Sequence, residues 1–169
     1  MKLAGFPRSS CPVLRLEAVQ EADFEAMADL RAEALRDSLE QLGRFDPARV
    51  RERLRSAFVP ACMRHIVWIG QRIGYLTLAP QAPQAPALRL HHLYIRPGQQ
   101  GRGAGAWALQ WAKAQASAQA CDITLGALRG SAANRFYLRH GFQLVEEQEF
   151  DLEYRWSPSF ERSPVEAAG

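Results

Sequence analysis

A glycine-rich loop is the segment of this sequence whose residue types and spacing best suit chemistry. It follows a predicted strand that ends at Ile95 and opens a predicted helix that ends near Ala118. The loop consists of Gln100, Gly101, Arg102, Gly103, Ala104 and Gly105. Backbone N–H groups at the start of a helix bind anions, and glycine allows a phosphate to approach them closely. The loop therefore predicts a phosphate site, to which Arg96, Arg102 and Lys113 would add positive charge.

The same loop permits two other interpretations. The string from Gly101 to Ala106 fits the G-x-G-x-x-G/A pattern of dinucleotide-binding proteins, and Asp122 stands at about the distance of the ribose-binding acid. However, that pattern follows its strand directly, whereas a loop containing Pro97 intervenes here. The absence of a following G-K-S/T sequence excludes a P-loop. A dinucleotide-dependent oxidoreductase and a turn without a ligand stay open at this point.

A second segment further along the chain narrows these interpretations. Residues 134–142 read Asn-Arg-Phe-Tyr-Leu-Arg-His-Gly-Phe. Together with Ile95-Arg96-Pro97 and the glycine loop, they match three patterns of one family in the same order: V/I-x-P, Q/R-x-x-G-x-G/A and N-x-x-Y-x-x-x-G-F. On these residues the sequence resembles the GNAT superfamily of N-acetyltransferases, and the order of elements fits that family from Leu14 to Trp156.

The resemblance implies a fold and a cosubstrate. The fold would be α+β, with a mixed, largely antiparallel sheet flanked by helices and two central parallel strands splayed around a coenzyme A site. Those strands would end at Ile95 and Leu128. The cosubstrate would be acetyl-CoA, with its pyrophosphate on the glycine loop and its pantetheine arm on Leu93, Tyr94 and Ile95. Asn134 would bind the cofactor or a water beside it.

The resemblance also implies a mechanism, in which an amine attacks the thioester directly without a covalent enzyme intermediate. Tyr137 would protonate the departing thiolate, and its ordinary pKa of about 10 keeps it a proton donor at neutral pH. His91 and His92 are the candidate bases, because histidine titrates near neutral pH. Unless a bulge intervenes, the two point to opposite faces of the strand. We prefer His91, which shares the alternation of Leu93 and Ile95.

The hydrophobic pattern predicts the elements that position these residues in the order β-α-α-β-β-β-α-β-α-β-β. The predicted strands cover residues 13–18, 64–69, 72–78, 88–95, 122–128, 142–147 and 148–156, and the predicted helices cover 21–42, 47–59, 103–118 and 132–140. Gly70-Gln71 would form the first hairpin turn, Pro60 would end the second helix, and Ser131 would cap the last one. The proline-rich stretch 79–87 predicts a stiff, extended loop.

The composition limits the classes of protein to which this chain can belong. The chain has 169 residues, 47% of them apolar and 23% charged, as in an ordinary soluble globular protein. We expect one domain over residues 1–156 and a loose tail over 157–169. With no apolar stretch of about 20 residues and no visible secretory signal, we expect a cytoplasmic protein without a membrane partner. The net charge of +3 lacks the basic stripe of a nucleic-acid binder.

The three cysteines, Cys11, Cys62 and Cys121, predict neither a disulfide framework nor a metal site, because their spacing shows no pairs. We interpret all three thiols as structural. A route through a cysteine nucleophile is the rival mechanism, but Cys121 has no evident histidine partner in the sequence.

The acceptor stays open between a small-molecule amine and a protein amine, and a homodimer also stays open. In the family that the sequence resembles, the segment corresponding to Arg31–Phe58 shapes the acceptor pocket, and here its charge is mixed. Arg89 could steer an acidic substrate group, whereas Asp151 and Glu153 could face a cationic amine. The alternative function is an acyl-CoA-binding regulatory module without turnover, which Tyr137 disfavours because binding alone does not require it.

Overall fold

The strands and helices follow one another in the predicted order in a computed structural model, which describes residues 14–81 and 86–161. The strands are β1 (Leu14–Ala18), β2 (Met63–Trp68), β3 (Gln71–Pro80), β4 (Ala87–Ile95), β5 (Asp122–Leu128), β6 (Gln143–Glu147) and β7 (Asp151–Trp156). The helices are α1 (Phe24–Gln41), α2 (Pro47–Ser56), α3 (Ala104–Ala118) and α4 (Ala132–Arg139). Cys11, the middle of the proline-rich stretch at 82–85 and the end of the tail at 162–169 lie outside the described residues.

One mixed sheet organises the chain, with its strands in the order β1-β2-β3-β4-β5-β7-β6. Every neighbouring pair is antiparallel except β4 and β5, which run parallel because α3 crosses over between them. The expected α+β fold with two central parallel strands is therefore confirmed.

Two cores, one on each side of the sheet, hold the helices in place. On one side, Phe24 and Met27 of α1 pack with Tyr75 of β3. On the other side, α3 buries a row of small residues at intervals of four: Ala104, Ala108, Ala112 and Ala116. Because residues four apart lie on one face of a helix and alanine is short, α3 can lie close to the sheet. Its first turn is thereby fixed beside the end of β4.

Local sequence signals set several helix ends as predicted. The Asp46 carboxylate accepts hydrogen bonds from the N–H groups of Ala48 at 3.0 Å and Arg49 at 3.3 Å, which caps α2. Gly43 and Gly141 follow α1 and α4 with φ of +63° and +83°, in the left-handed region that favours glycine.

The first hairpin turns one residue earlier than predicted. Trp68 pairs with Gln71, so the turn residues are Ile69 and Gly70 rather than Gly70-Gln71. Both have positive φ, at 48° and 75°. A two-residue hairpin turn of this kind suits the twist of the flanking strands, and the twist outweighs the strain of a left-handed isoleucine.

One predicted helix end and one predicted side-chain cap were also wrong. α2 ends at Ser56, and Pro60 instead begins a short 3-10 turn that leads into β2. Ser131 stands directly before α4 but does not cap it with its side chain. Its hydroxyl donates to the Leu128 carbonyl oxygen at 2.8 Å and so ties α4 to the end of β5.

The chain after β7 is fixed against α3 as far as Glu161, in a stretch that was predicted to be a loose tail. The Glu161 carboxylate accepts hydrogen bonds from Lys113 Nζ at 2.9 Å and Trp156 Nε1 at 3.2 Å. Lys113 also donates to the His140 carbonyl oxygen at 2.6 Å. Lys113 was expected to add positive charge beside the glycine loop, but its side chain is buried and paired.

Candidate active site

A cleft opens where the two parallel strands separate. β4 and β5 pair only through Ala87–Arg89 and Asp122–Thr124, at their N-terminal ends. Beyond these pairs they diverge around a cleft of about 1150 Å³. The edge of β4 that faces the cleft therefore has free N–H and C=O groups, to which an extended ligand can hydrogen-bond as a strand would. The splay expected of the strands ending at Ile95 and Leu128 is present.

The glycine loop lies at the end of this cleft and leads into α3. Gly101 and Gly103 have φ of +76° and +88°. A Cβ at either position would meet nothing within 4 Å, so φ rather than crowding requires glycine there. No side chain caps α3, so the N–H groups of its first turn are available to an anion. Gln100 Nε2 donates to the Ile95 carbonyl oxygen at 2.9 Å and holds the loop to β4.

Positive charge near the loop comes from fewer side chains than predicted. The Arg102 guanidinium lies over the Trp68 ring, 5.0 Å from its centroid. Arg96 Nε is 3.7 Å from the Glu33 carboxylate, which partly neutralises it. Lys113 is paired with Glu161 and is not available to phosphates. Of the three predicted cations, Arg102 is therefore the one that forms no ion pair with a carboxylate of the described residues.

A β-bulge at His91 changes the geometry of the histidine pair. Thr77 pairs with His92 and the next residue, Leu78, pairs with Leu90, so His91 has no partner on β3. Leu88 and Leu90 before the bulge and Leu93 and Ile95 after it belong to one core cluster. The alternation therefore changes phase at His91, so this histidine does not share the alternation of Leu93 and Ile95 as predicted.

The bulge separates the two histidines by environment. His91 is exposed and lines the cleft. Partial burial and the nearby Arg89 lower its pKa, so it is neutral and able to accept a proton at pH 7. His92 is buried, its Nδ1 is 2.9 Å from the Thr77 hydroxyl, and it does not line the cleft. Burial lowers the pKa of His92 to about 3, so it stays neutral as part of the core.

Tyr137 lines the same cleft from α4. Its side chain is only 7% exposed and packs edge-on against Phe136 and Phe142. Burial, and then the neighbouring Tyr94, raise the pKa of Tyr137 well above its ordinary value. The phenol therefore stays protonated across the neutral range and can act as a proton donor.

Asn134 joins three elements and does not itself line the cleft. Its Nδ2 donates to the carbonyl oxygens of Leu128 at 2.8 Å and Ser131 at 3.0 Å. Its Oδ1 accepts a hydrogen bond from the Tyr154 hydroxyl at 2.8 Å. These contacts fix the end of β5, α4 and β7 relative to one another, and they fix Tyr137 one turn further along α4.

Arg89 and Glu153 neutralise each other across β5. Two parallel hydrogen bonds of 2.6 and 3.0 Å join the guanidinium to the carboxylate. The pair crosses over Gly126, where a Cβ would lie 2.7 Å from a Glu153 carboxylate oxygen. Arg89 is therefore not free to steer an acidic substrate group, nor Glu153 to face a cationic one.

The cleft wall formed by α1 and α2 contains a residue that the sequence did not single out. Arg31 appeared there only as part of a segment of mixed charge. In the structure it is buried in α1, lines the cleft and lies over the Tyr94 ring at 5.9 Å. Hydrophobic periodicity assigns arginines to the wet face of a helix, so no sequence signal marks this one as buried.

The described cysteines lie away from the cleft. Cys121 is buried, and burial and then Asp122 raise the pKa of its thiol, which disfavours the nucleophilic thiolate. Cys62 is half-buried before β2 and, like Cys121, does not line the cleft. Residues 14–81 and 86–161 contain no group of side chains that could hold a metal ion, and none of their helices could cross a membrane.

Residues 63–144 match the family model for the acetyltransferase (GNAT) domain. The matched stretch runs from β2 into β6 and includes the glycine loop, both candidate bases, Asn134 and Tyr137. Over these residues the chain is similar to the GNAT acetyltransferase domain. No sequence among the curated proteins matches the chain.

Solved structures share the fold over more of the chain. The PaiA N-acetyltransferase from Thermoplasma acidophilum, in complex with coenzyme A, is 14% identical over 85% of this chain and 98% of its own, with a TM-score of 0.69. An acetyltransferase from Thermus thermophilus is 20% identical over 86% and 97%, with a TM-score of 0.68. Arabidopsis thaliana Naa50, in complex with the bisubstrate analogue CoA-Ac-MVNAL, is 14% identical over 86% and 99%, with a TM-score of 0.66.

Proposed function

We propose that the protein is an N-acetyltransferase that moves the acetyl group of acetyl-CoA to a primary amine while both substrates are bound. The observation that most supports this proposal is that one cleft contains an uncapped helix N-terminus, an unpaired strand edge and a protonated tyrosine. This arrangement fits a cosubstrate with a pyrophosphate, an extended amide-bearing arm and a thiolate leaving group. The complexes of PaiA with coenzyme A and of Naa50 with the bisubstrate analogue CoA-Ac-MVNAL, both of which share the fold, support the proposal.

The cosubstrate would lie along the wall formed by β4 and α3. The N–H groups of the glycine loop, from Gln100 to Gly105, would bind the pyrophosphate, with added charge from Arg102. The free backbone groups of Leu93, Tyr94 and Ile95 would pair with the pantetheine arm. Asn134 would support this site from behind, because its hydrogen bonds hold α4 against the end of β5.

The residues of the chain would contribute three effects to the transfer, for which acetyl-CoA supplies an activated thioester. The cleft holds the amine and the thioester together, which removes much of the entropic cost of their encounter. A free N–H of β4 would donate to the thioester carbonyl oxygen as negative charge develops there. As the C–N bond forms and the C–S bond breaks, His91 would take a proton from the amine and Tyr137 would give one to the departing sulfur.

His92 has no proton-transfer role in this proposal. Its ring is enclosed by Tyr75 and Tyr94, at centroid distances of 5.8 Å each, and its Nδ1 is engaged with Thr77. We assign it to packing, where it supports the bulge that presents His91.

A steady-state assay of coenzyme A release with acetyl-CoA and a broad panel of amines tests the proposed function. We expect release that depends on one class of amine, together with the N-acetylated amine detected by mass spectrometry. Tight acetyl-CoA binding without release on any amine would favour the regulatory module instead. Protection from thermal unfolding by NAD(P) but not by coenzyme A would favour the oxidoreductase.

A further inference from the structure

Arg31 is a buried cation whose anionic partner is not supplied by the described residues. Only 9% of the residue is exposed, and it lines the α1 and α2 wall of the cleft. Its Nη1 donates to the Val50 carbonyl oxygen at 2.5 Å, while its Nε is buried without a hydrogen-bond partner. No carboxylate of residues 14–81 and 86–161 forms an ion pair with it.

Burying a guanidinium without a counter-ion costs free energy, so its position indicates a binding site for an anionic group. A second buried donor without a partner lies nearby, in the core. The Tyr75 hydroxyl is also buried without a hydrogen-bond partner, and its ring contacts that of Tyr94, over which Arg31 lies. Tyr75 does not line the cleft, so it is the unsatisfied guanidinium of Arg31 on the cleft wall that calls for an acceptor arriving with the ligand.

The rim of the same wall carries further positive charge. Arg49 and Arg53 stand four residues apart on α2, are exposed and line the cleft. Among the described residues they form no ion pairs, whereas their neighbours Arg51 and Arg55 on the same helix pair with glutamates of the α1 region. Charge at a cleft mouth raises the local concentration of ligands of opposite sign.

The acidic residues that line the cleft do not pair with Arg31. Asp46 is engaged as the cap of α2, and Glu153 is engaged with Arg89. Asp37 and Asp151 also line the cleft. They form no contact with Arg31 among the described hydrogen bonds, so they leave the inner cation uncompensated.

We propose that the acceptor is an amine that also carries a carboxylate, and that Arg31 binds this carboxylate while the rim arginines attract it. The inference rests on the proposed acetyltransferase function and adds the class of acceptor. Because Nη1 of Arg31 is taken by Val50 and Nε is buried, a carboxylate in the cleft would accept charge-assisted hydrogen bonds from the donors of the guanidinium that remain. Small amino acids have the required chemistry, and aminophosphonates share it.

Matched acceptors provide the test. Initial rates with acetyl-CoA are measured for a series of amino acids, their carboxamides and the corresponding aminophosphonates. We expect kcat/KM to be at least about tenfold higher for the acid than for the amide, as a charge-assisted pair would give. The amide has the less basic amine and hence more free base, which makes this comparison conservative. A higher rate with the phosphonate than with the carboxylate would show that the site takes a phosphate-like group and would overturn the carboxylate assignment.

Two variants assign the preference to Arg31. Arg31→Met keeps the volume of the side chain and removes the uncompensated charge, so we expect it to fold and to bind coenzyme A with unchanged affinity while losing the preference for the acid. Arg36→Met is the matched control, because Arg36 lies on the same helix but is exposed, contacts Glu40 and does not line the cleft. It should keep the preference. Equal use of acid and amide by the wild type, or an unchanged preference in Arg31→Met, would overturn the proposal.

A binding measurement separates failure of this proposal from failure of the proposed function. Thermal unfolding is followed with coenzyme A present and with N-acetylglycine or N-acetylglycinamide added. We expect the acid to raise the melting temperature of the wild type more than the amide, and to lose this advantage in Arg31→Met. If no amine is turned over, this result still decides whether the carboxylate site exists. If turnover occurs without any preference for the acid over the amide, the acetyltransferase function is supported and the carboxylate site is contradicted.

Discussion

The two walls of the cleft offer a ligand different kinds of groups. The wall of β4 and α3 offers main-chain groups: an unpaired strand edge and free N–H groups at a helix start. The wall of α1 and α2 offers side chains, with the buried Arg31 inside and Arg49 and Arg53 at the rim. A main-chain site suits a cosubstrate recognised by phosphates and amides, whereas a side-chain site can be changed residue by residue to suit an acceptor.

Tyr137 lines the cleft from α4, and its removal should have the largest effect. We expect Tyr137→Phe to lower kcat by about 100-fold or more, since proton transfer by a positioned side chain contributes on that scale. Affinity for coenzyme A and the melting temperature should change little, because the ring and its packing are kept. A variant with nearly full kcat would remove Tyr137 from the chemistry.

His91 tests whether the bulge serves catalysis. We expect His91→Asn to lower kcat by about tenfold or more at neutral pH. In the wild type the pKa of His91 is lowered, so the neutral base prevails at pH 7 and activity should fall only as the pH drops below the ordinary histidine range. The variant should lack this acidic limb in its pH–rate profile. The same limb in both proteins would assign it to another group.

The glycine loop tests the main-chain wall alone. Gly103→Ala forces alanine into the left-handed region at φ +88°, and we expect it to weaken coenzyme A binding by about tenfold in calorimetry because the loop must shift. Gly43→Ala is the control. Its φ is +63° with equally open surroundings, so it carries similar strain at a position that does not itself line the cleft. Equal losses of affinity in both variants would assign the effect to stability.

His92 should affect stability rather than catalysis. Its pKa is lowered to about 3 in the folded chain, against 6.5 when unfolded, so the unfolded state binds its proton first. Stability from this group is complete above pH 6.5 and is lost as the pH falls towards 3, by about 1.4 kcal/mol per pH unit. His92→Asn should flatten that part of the curve of unfolding free energy against pH. A similar slope in the variant would show that other groups cause it.

Lys113 should have the smallest effect on cosubstrate binding. Because it is buried between Glu161 and the His140 carbonyl, Lys113→Met should leave the affinity for coenzyme A unchanged while lowering the melting temperature. A marked loss of affinity with an unchanged melting temperature would return Lys113 to the phosphate site.

The main-chain wall could be predicted from the sequence because it depends on short-range signals. Within a few residues, the sequence contains the end of a strand at Ile95, glycines that adopt positive φ and the start of the helix that follows. The short helix with Tyr137 could be predicted for the same reason, since Gly141 ends it locally.

Features that depend on contacts between distant parts of the chain could not be predicted, in either wall. The bulge at His91 exists only in the register of β4 against β3. The burial of Lys113 requires Glu161, and that of Arg31 requires α2 to fold over α1. The hydrophobic periodicity of a single helix or strand does not indicate contacts with distant parts of the chain.

A crystal structure with coenzyme A bound tests the account most directly. We predict that the pyrophosphate contacts the N–H groups at the start of α3, that the pantetheine arm runs along the free edge of β4, and that the sulfur lies beside the Tyr137 hydroxyl. Coenzyme A bound elsewhere, or in this cleft with its sulfur remote from Tyr137, would contradict the account.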